Sequence, residues 1–307
     1  MNWFLIALIS PITNAFVNHF DKFLLSKYLR GGTVGALILF SSLFAVVALP
    51  IIYIIDPAVI TAPTAGQMFI LLLNGVFLSL AILLYLYALD NDEASYVMPL
   101  GQLVPVFGFI LAYIILGEVL SKNNIFGGVL IVIGGVVLSL QLGSKDLKIK
   151  YKPLLFMAGA TFLYALSAVI FKYIALDQGF MSSLFWDMAG KFIFGLILFV
   201  SIKSYQSQFI TLIKENGVAI FGLNVLNEIL GLMAEFALVL AVLYAPVAVV
   251  QSVSGLQPVF VLIFGVFITL FFPKFGKEVL ERKFLIQKVI GVVVITVGVY
   301  FLELFKV

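Results

Sequence analysis

Long apolar runs alternate with short polar breaks from one end of the chain to the other. A spanning helix needs about 20 apolar residues, and on that measure the runs predict ten membrane-crossing helices. Their approximate limits are 3–28, 34–55, 66–89, 95–117 and 124–142 in the first half, then 153–176, 181–203, 217–243, 247–272 and 284–305 in the second. The runs are continuous and do not alternate in polarity, so the pattern predicts an all-α polytopic membrane protein, not a barrel. Breaks are short except at 143–152 and 273–284, and no soluble domain is predicted.

The most organised stretch runs from Ala94 to Gly128. Pro99 and Pro105 interrupt it with Gln102 between them, it closes on Gly117-Glu118-Val119-Leu120, and Gly127-Gly128 opens the next run. The pattern returns. An offset of 153 places Asn74 on Asn227, Pro105 on Pro258, and LVPVF (Leu103 to Phe107) on LQPVF (Leu256 to Phe260). An offset of 164 places Gly127 on Gly291, Ile131 on Ile295 and Gly134 on Gly298. Glu118-Val119-Leu120 recurs as Glu278-Val279-Leu280, an offset of 150 sets Lys22 on Lys172, and Phe20 falls one residue short of Phe171. Matches kept in order along both halves predict a duplication: a first repeat over 1–143, a basic linker at 144–152 and a second repeat over 153–307. Five spans per copy is an odd number, so the second copy enters the bilayer upside down. Inverted repeats of this kind are characteristic of secondary transporters.

Composition agrees with the pattern. Of 307 residues, 63% are hydrophobic and 11% charged, against about 25% charged in soluble domains, and mean hydropathy is +1.21. No cysteine is present, which excludes disulfides, thiolate metal sites and cysteine nucleophiles. A single histidine, His19, excludes a multi-histidine metal site. The net charge of +3 is carried in loops and not on one face, so nucleic acid is not an expected partner. No secretory leader is expected, since Met1-Asn2 offers no basic start. HExxH, GxSxG and P-loop patterns are absent. No catalytic residues, cofactor or metal are therefore expected. Thirteen of the 18 basic residues fall on the side of the central linker and two, Lys122 and Lys306, on the other. That bias predicts a cytoplasmic linker with both termini outside, in a plasma or inner membrane.

The proline-bearing span, the Leu116-Gly117-Glu118 hinge, Gly127 and the Ile131-x-x-Gly134 spacing resemble the EamA-type members of the drug/metabolite transporter superfamily. The second copy keeps Pro258, Glu278, Gly291 and Gly298 but has Lys277 where the first has Gly117. The resemblance implies two five-span repeats and carriage of amino acids, amines, purines, sugars or similar metabolites. It also implies cytoplasmic termini, as in many members, which the charge bias opposes.

An ionisable group at mid-bilayer costs about 2.5–3.5 kcal/mol on insertion scales, so each needs a reason. Asp187 and Lys191 lie four apart on one face of span 7. They are read either as a self-neutralising pair or with Lys191 meeting a substrate carboxylate or an acid of span 8. In span 8, Asn224, Glu228, Gly231 and Glu235 form one stripe with Asn227 beside it. Interhelical hydrogen bonding, with Gly231 allowing close approach, is the structural alternative. The acids outnumber Lys191, which favours a protonated carboxyl at Glu228 or Glu235, or an amine on the substrate. Gln102 and Gln251, with Ser252, Ser254 and Gln257, sit beside prolines and suit substrate hydrogen bonding. Trp186 and Tyr164 suit an aromatic wall against a cation. His19, near Asn14 and Asn18, is a structural donor or a proton relay, and Glu118 and Glu278 cap or gate the hinges.

These features predict a secondary active transporter, an exporter or exchanger of a small polar metabolite such as an amino acid or amine. It would work by alternating access, as a monomer or homodimer, with protons as the candidate coupling ion. The alternative is a facilitative channel or lipid-handling scaffold without ion coupling.

Overall fold

The computed structural model describes residues 2–27, 34–91, 100–139, 151–271 and 282–303, and these are helical with short connections. Helices are what such a sequence must form: in hydrocarbon no water satisfies the backbone, so each segment closes its own hydrogen bonds. The helices are α1 (Trp3–Lys27), α2 (Val34–Phe44), α3 (Ala48–Ile55), α4 (Ala65–Asn91), α5 (Val104–Leu116) and α6 (Lys122–Ser139). The second half supplies α7 (Tyr151–Gln178), α8 (Phe180–Ser201), α9 (Lys203–Ala241), α10 (Val247–Val253), α11 (Gln257–Phe271) and α12 (Arg282–Glu303). Among the described residues, seven segments are long and apolar enough to cross a membrane, including Val34–Ile55 and Val247–Phe271. Three shorter apolar helices, Gly101–Leu116, Lys122–Val137 and Ile286–Phe301, accompany them. The chain is an integral, multi-pass membrane protein. Residues 273–281 of the long break, with Glu278, the linker 144–150 and Pro99 lie outside the described residues.

Local signals place the element ends. Thr64 opens α4 with a capping box: Gln67 Oε1 accepts from the Thr64 N–H at 2.9 Å, and the Gln67 N–H donates to Thr64 Oγ1 at 3.4 Å. Gly117 ends α5 in the left-handed region, φ 67°, and turns Glu118 back toward the bundle. The two proline-bearing spans each break at a 3-10 turn. A 3-10 turn at Gly101–Leu103 precedes α5, and its counterpart 153 residues on, Ser254–Leu256, precedes α11. One boundary differs from the sequence reading: α9 begins at Lys203, well before 217. At 1.5 Å per residue it is about 58 Å long, longer than a hydrocarbon core. Phe209 and Leu212 in its early turns pack on Ala36 and Phe40 of α2.

Helix neighbours come in matched sets. α4 packs on α7 as α1 packs on α9; α4 packs on α8 as α2 packs on α9; α5 packs on α7 as α1 packs on α10 and α11. α6 and α12 form an extensive helix pair built on the glycines that the 164-residue offset equates. A Cβ on Gly134 would lie 2.5 Å from Ile295 Cγ1 and 2.9 Å from the Gly291 carbonyl oxygen. A Cβ on Gly298 would lie 2.8 Å from both Ile131 Cγ1 and the Gly127 carbonyl oxygen. Each contact is the other with the two halves exchanged.

Candidate functional site

The acidic site rests on a crossing of two glycines. A Cβ on Gly75 would sit 2.0 Å from the Asp187 carbonyl oxygen, and one on Gly190 would sit 2.1 Å from the Leu72 carbonyl oxygen. α4 and α8 therefore touch backbone to backbone, the close approach that small residues permit in membranes. That contact brings Asn74, which is fully buried, against Asp187, exposed by only 2%. The Asn74 amide donates to Asp187 Oδ1 at 2.7 Å. Lys191, one turn along α8, reaches across to α9 and donates to Glu235 Oε2 at 2.7 Å.

Asp187 and Lys191 attract one another along α8. Among the described residues no ion pair joins them, because each finds a partner on another helix. The second alternative, Lys191 against an acid of α9, is the arrangement present. Glu228 faces Lys191 and is hydrogen-bonded by Ser41 of α2. Asn227 donates to Asp21 Oδ1 of α1 at 2.7 Å, and Asn224 is buried one turn before Glu228. Asp187, Glu235, Glu228 and Asp21 form a connected acidic column with Lys191 as its ammonium among the described residues.

A cavity of about 10 Å³ opens on this column, room for roughly one water. Leu78, Tyr164, Ser167, Ala168, Asp187 and Glu235 line it, together with Leu238 and Val239. Tyr164 is part of that lining. Trp186 is not: its indole donates to the Val59 carbonyl at 3.0 Å, and the ring serves the 57–60 segment. Gln102 and Gln251 lie elsewhere. The Gln102 amide packs on Gly135, and Gln251 is fully buried against Gly108, with neither amide atom partnered among the described residues. Gly231 permits no close approach, since a Cβ there meets nothing within 4 Å. His19 Nε2 bonds the Val261 carbonyl oxygen at 3.0 Å, which fits its structural reading.

A second buried ion pair lies where Glu118 leaves α5. Lys172 donates to Glu118 Oε1 at 2.6 Å and to the Ala245 carbonyl at 2.8 Å, while Glu118 Oε2 accepts the Val247 N–H at 2.8 Å. The knot joins the α5 hinge, α7 and the turn between α9 and α10. Ala168, one turn before Lys172, lines the cavity, so the knot stands about one helical turn from its wall. Sequence inspection passed over Asp21, Asn74 and Lys172 as site residues. The signals available were the ionisable positions of Asp21 and Lys172 inside apolar runs and the repeat that equates Asn74 with Asn227.

The chain is thus a bundle of apolar, membrane-spanning helices around a buried, charged column. Residues 1–140 match the family model of the EamA-like transporter family. Curated proteins give no match. Among solved structures 26 chains match. One, described only as "Crystal structure of protein", superposes with a TM-score of 0.69 at 15% identity, covering 99% of this chain and 96% of its own. At that identity the likeness concerns the fold.

Proposed function

We propose that the chain is a secondary active carrier, an exporter or exchanger, for a small polar metabolite bearing an amine, such as an amino acid. Its ten spans form two inverted five-span repeats, 1–143 and 153–307, joined by a basic linker at 144–152. The reciprocal packing of Gly134 on Ile295 and Gly298 on Ile131 supports that architecture, as do the matched helix neighbours. Such repeats rock around a midplane site. The linker side is cytoplasmic in this reading, on the strength of the basic residues gathered there.

The observation that carries the substrate class is the cavity wall. Asp187 and Glu235 face it beside Tyr164 and Ser167, and Glu235 Oε1 has no partner among the described residues. A carboxylate with an open oxygen beside an aromatic ring suits an ammonium group. Room for about one water means that this conformation is closed, and cargo enters after the halves part. The Lys172–Glu118 knot then seals the side opposite the linker. A thermal-shift screen of amines, amino acids, nucleobases and sugars on the purified protein identifies ligands, and counterflow in proteoliposomes tests carriage. Amines and amino acids are expected to stabilise and to exchange, with exchange lost in Glu235→Gln. Stabilisation by sugars or nucleobases alone overturns the substrate class. Flux without counterflow overturns the carrier in favour of a channel.

A further inference from the structure

Two asparagines equated by the repeat, Asn74 and Asn227, share an unusual state. Each donates its amide N–H to an aspartate of the other half at 2.7 Å, Asn74 to Asp187 and Asn227 to Asp21. Each also keeps a buried amide oxygen with no partner among the described residues. Asn74 is fully buried and Asn227 is 8% exposed, so water does not readily supply the missing donor. Buried polar atoms without partners are rare and call for an explanation. Both pairs lack the same thing: an O–H directed from the carboxyl to the amide oxygen.

We propose that Asp187–Asn74 and Asp21–Asn227 are two proton-binding seats, in which a proton on the carboxyl closes a two-bond ring with the asparagine amide. In each ring the amide N–H donates to one carboxyl oxygen, and the newly formed O–H donates back to the amide oxygen. The proton comes from solvent, and no other bond changes. The seats lie at different depths. Asp187 is in the third turn of α8, near the end closed by Glu118 and Lys172, whereas Asp21 is near the opposite end of α1. Glu228 stands between them, in electrostatic contact with Asp21, Glu235 and Lys191.

The charged surroundings of both seats are consistent with this role. Asp187 faces Glu235 from α9, Tyr164 from α7 and Lys191 on its own helix, and α2 brings no ionisable residue. Asp21 faces Glu228 from α9 and Tyr85 from α4, while α10 and α11, which also pack on α1, contain no ionisable residue. With both seats filled, Glu228 and Glu235 remain against Lys191, a surplus of one negative charge that a cationic cargo would balance. The inference thus rests on the carrier reading above and locates its coupling ion, but its test needs no cargo.

The test is infrared difference spectroscopy of the purified, ligand-free protein between acid and alkaline pH, in the protonated-carboxyl C=O region. Two bands from buried carboxyls are expected. Asp21→Asn should remove one and Asp187→Asn the other, whereas Asn227→Ala and Asn74→Ala should shift the same bands without removing them. The alanine variants cover the case in which an aspartate variant fails to fold, because a merely structural asparagine would not move a carboxyl band. Bands lost in Glu228→Gln or Glu235→Gln but intact in the aspartate variants overturn the assignment, as does the absence of any buried-carboxyl band. Bands abolished by sodium and not by potassium overturn it in favour of a sodium site. A failed cargo screen with these bands present would leave the seats standing, so the two readings fail separately.

Discussion

Removing the Glu118 charge should open the cavity on the side opposite the linker. In Glu118→Gln, Lys172 loses its ion pair but keeps the Ala245 carbonyl, and Val247 can still donate to the new amide oxygen. Breaking one partner of a buried pair costs about 3–5 kcal/mol. Side-chain exposures of 11% and 14%, together with the surviving Ala245 bond, place this case near the lower end, about 3 kcal/mol. If that energy belongs to the closed state alone, about 1.4 kcal/mol per tenfold makes it roughly a hundredfold shift toward the open one. The chain has no cysteine, so a single Ser167→Cys in the cavity wall reports accessibility without background. A membrane-impermeant maleimide applied from the Glu118 side should label it about 10–100-fold faster in Glu118→Gln, the lower bound allowing for energy shared by both states. Lys172→Met should act in the same direction, and the double variant should cost less than the sum of the singles. A fall in thermal midpoint with an unchanged labelling rate would refute the reasoning and make the pair a static brace.

Two further outcomes follow from the packing. Gly75→Ala and Gly190→Ala should each cost about 1–3 kcal/mol or more, because backbone on the facing helix must move; Gly222→Ala and Gly231→Ala meet nothing within 4 Å and should leave the thermal midpoint in detergent almost unchanged. Gln251→Leu replaces a fully buried amide with no partner among the described residues, and if that amide is only structural the change should be neutral or stabilising in the same assay. Loss of transport with unchanged stability would instead return Gln251 to the substrate path that its place beside the proline span suggested.

What one sequence discloses depends on whether the information lies within a segment or between segments. Span limits and the proline breaks are within-segment properties, so apolar runs located most of the helices and the 153-residue offset anticipated the two 3-10 turns. α9 escaped because residues 203–216 pack on α2 with a polar, charged composition that no apolar run marks. Partner choice is a between-segment property. The four-residue spacing of Asp187 and Lys191 made a local pair the natural reading, yet the Gly75–Gly190 crossing supplies Asn74 and the bundle supplies Glu235. Glycines show the same limit. Gly134 and Gly231 both sit among apolar residues, but only the first meets another helix. The repeat is the exception that crosses this divide, because comparing two halves of one chain is a comparison between segments. It equated Gly134 with Gly298 and Asn74 with Asn227 before any contact was known; the glycines make reciprocal contacts, and both asparagines reach an aspartate of the opposite half, though on non-equivalent helices, α8 and α1. In the proposed carrier of two inverted copies, matched groups stand on both sides of the cargo. Positions that keep one residue type in both copies while reaching into the other half are therefore where coupling chemistry should be sought, and Asn74 and Asn227 are such positions inside the acidic column.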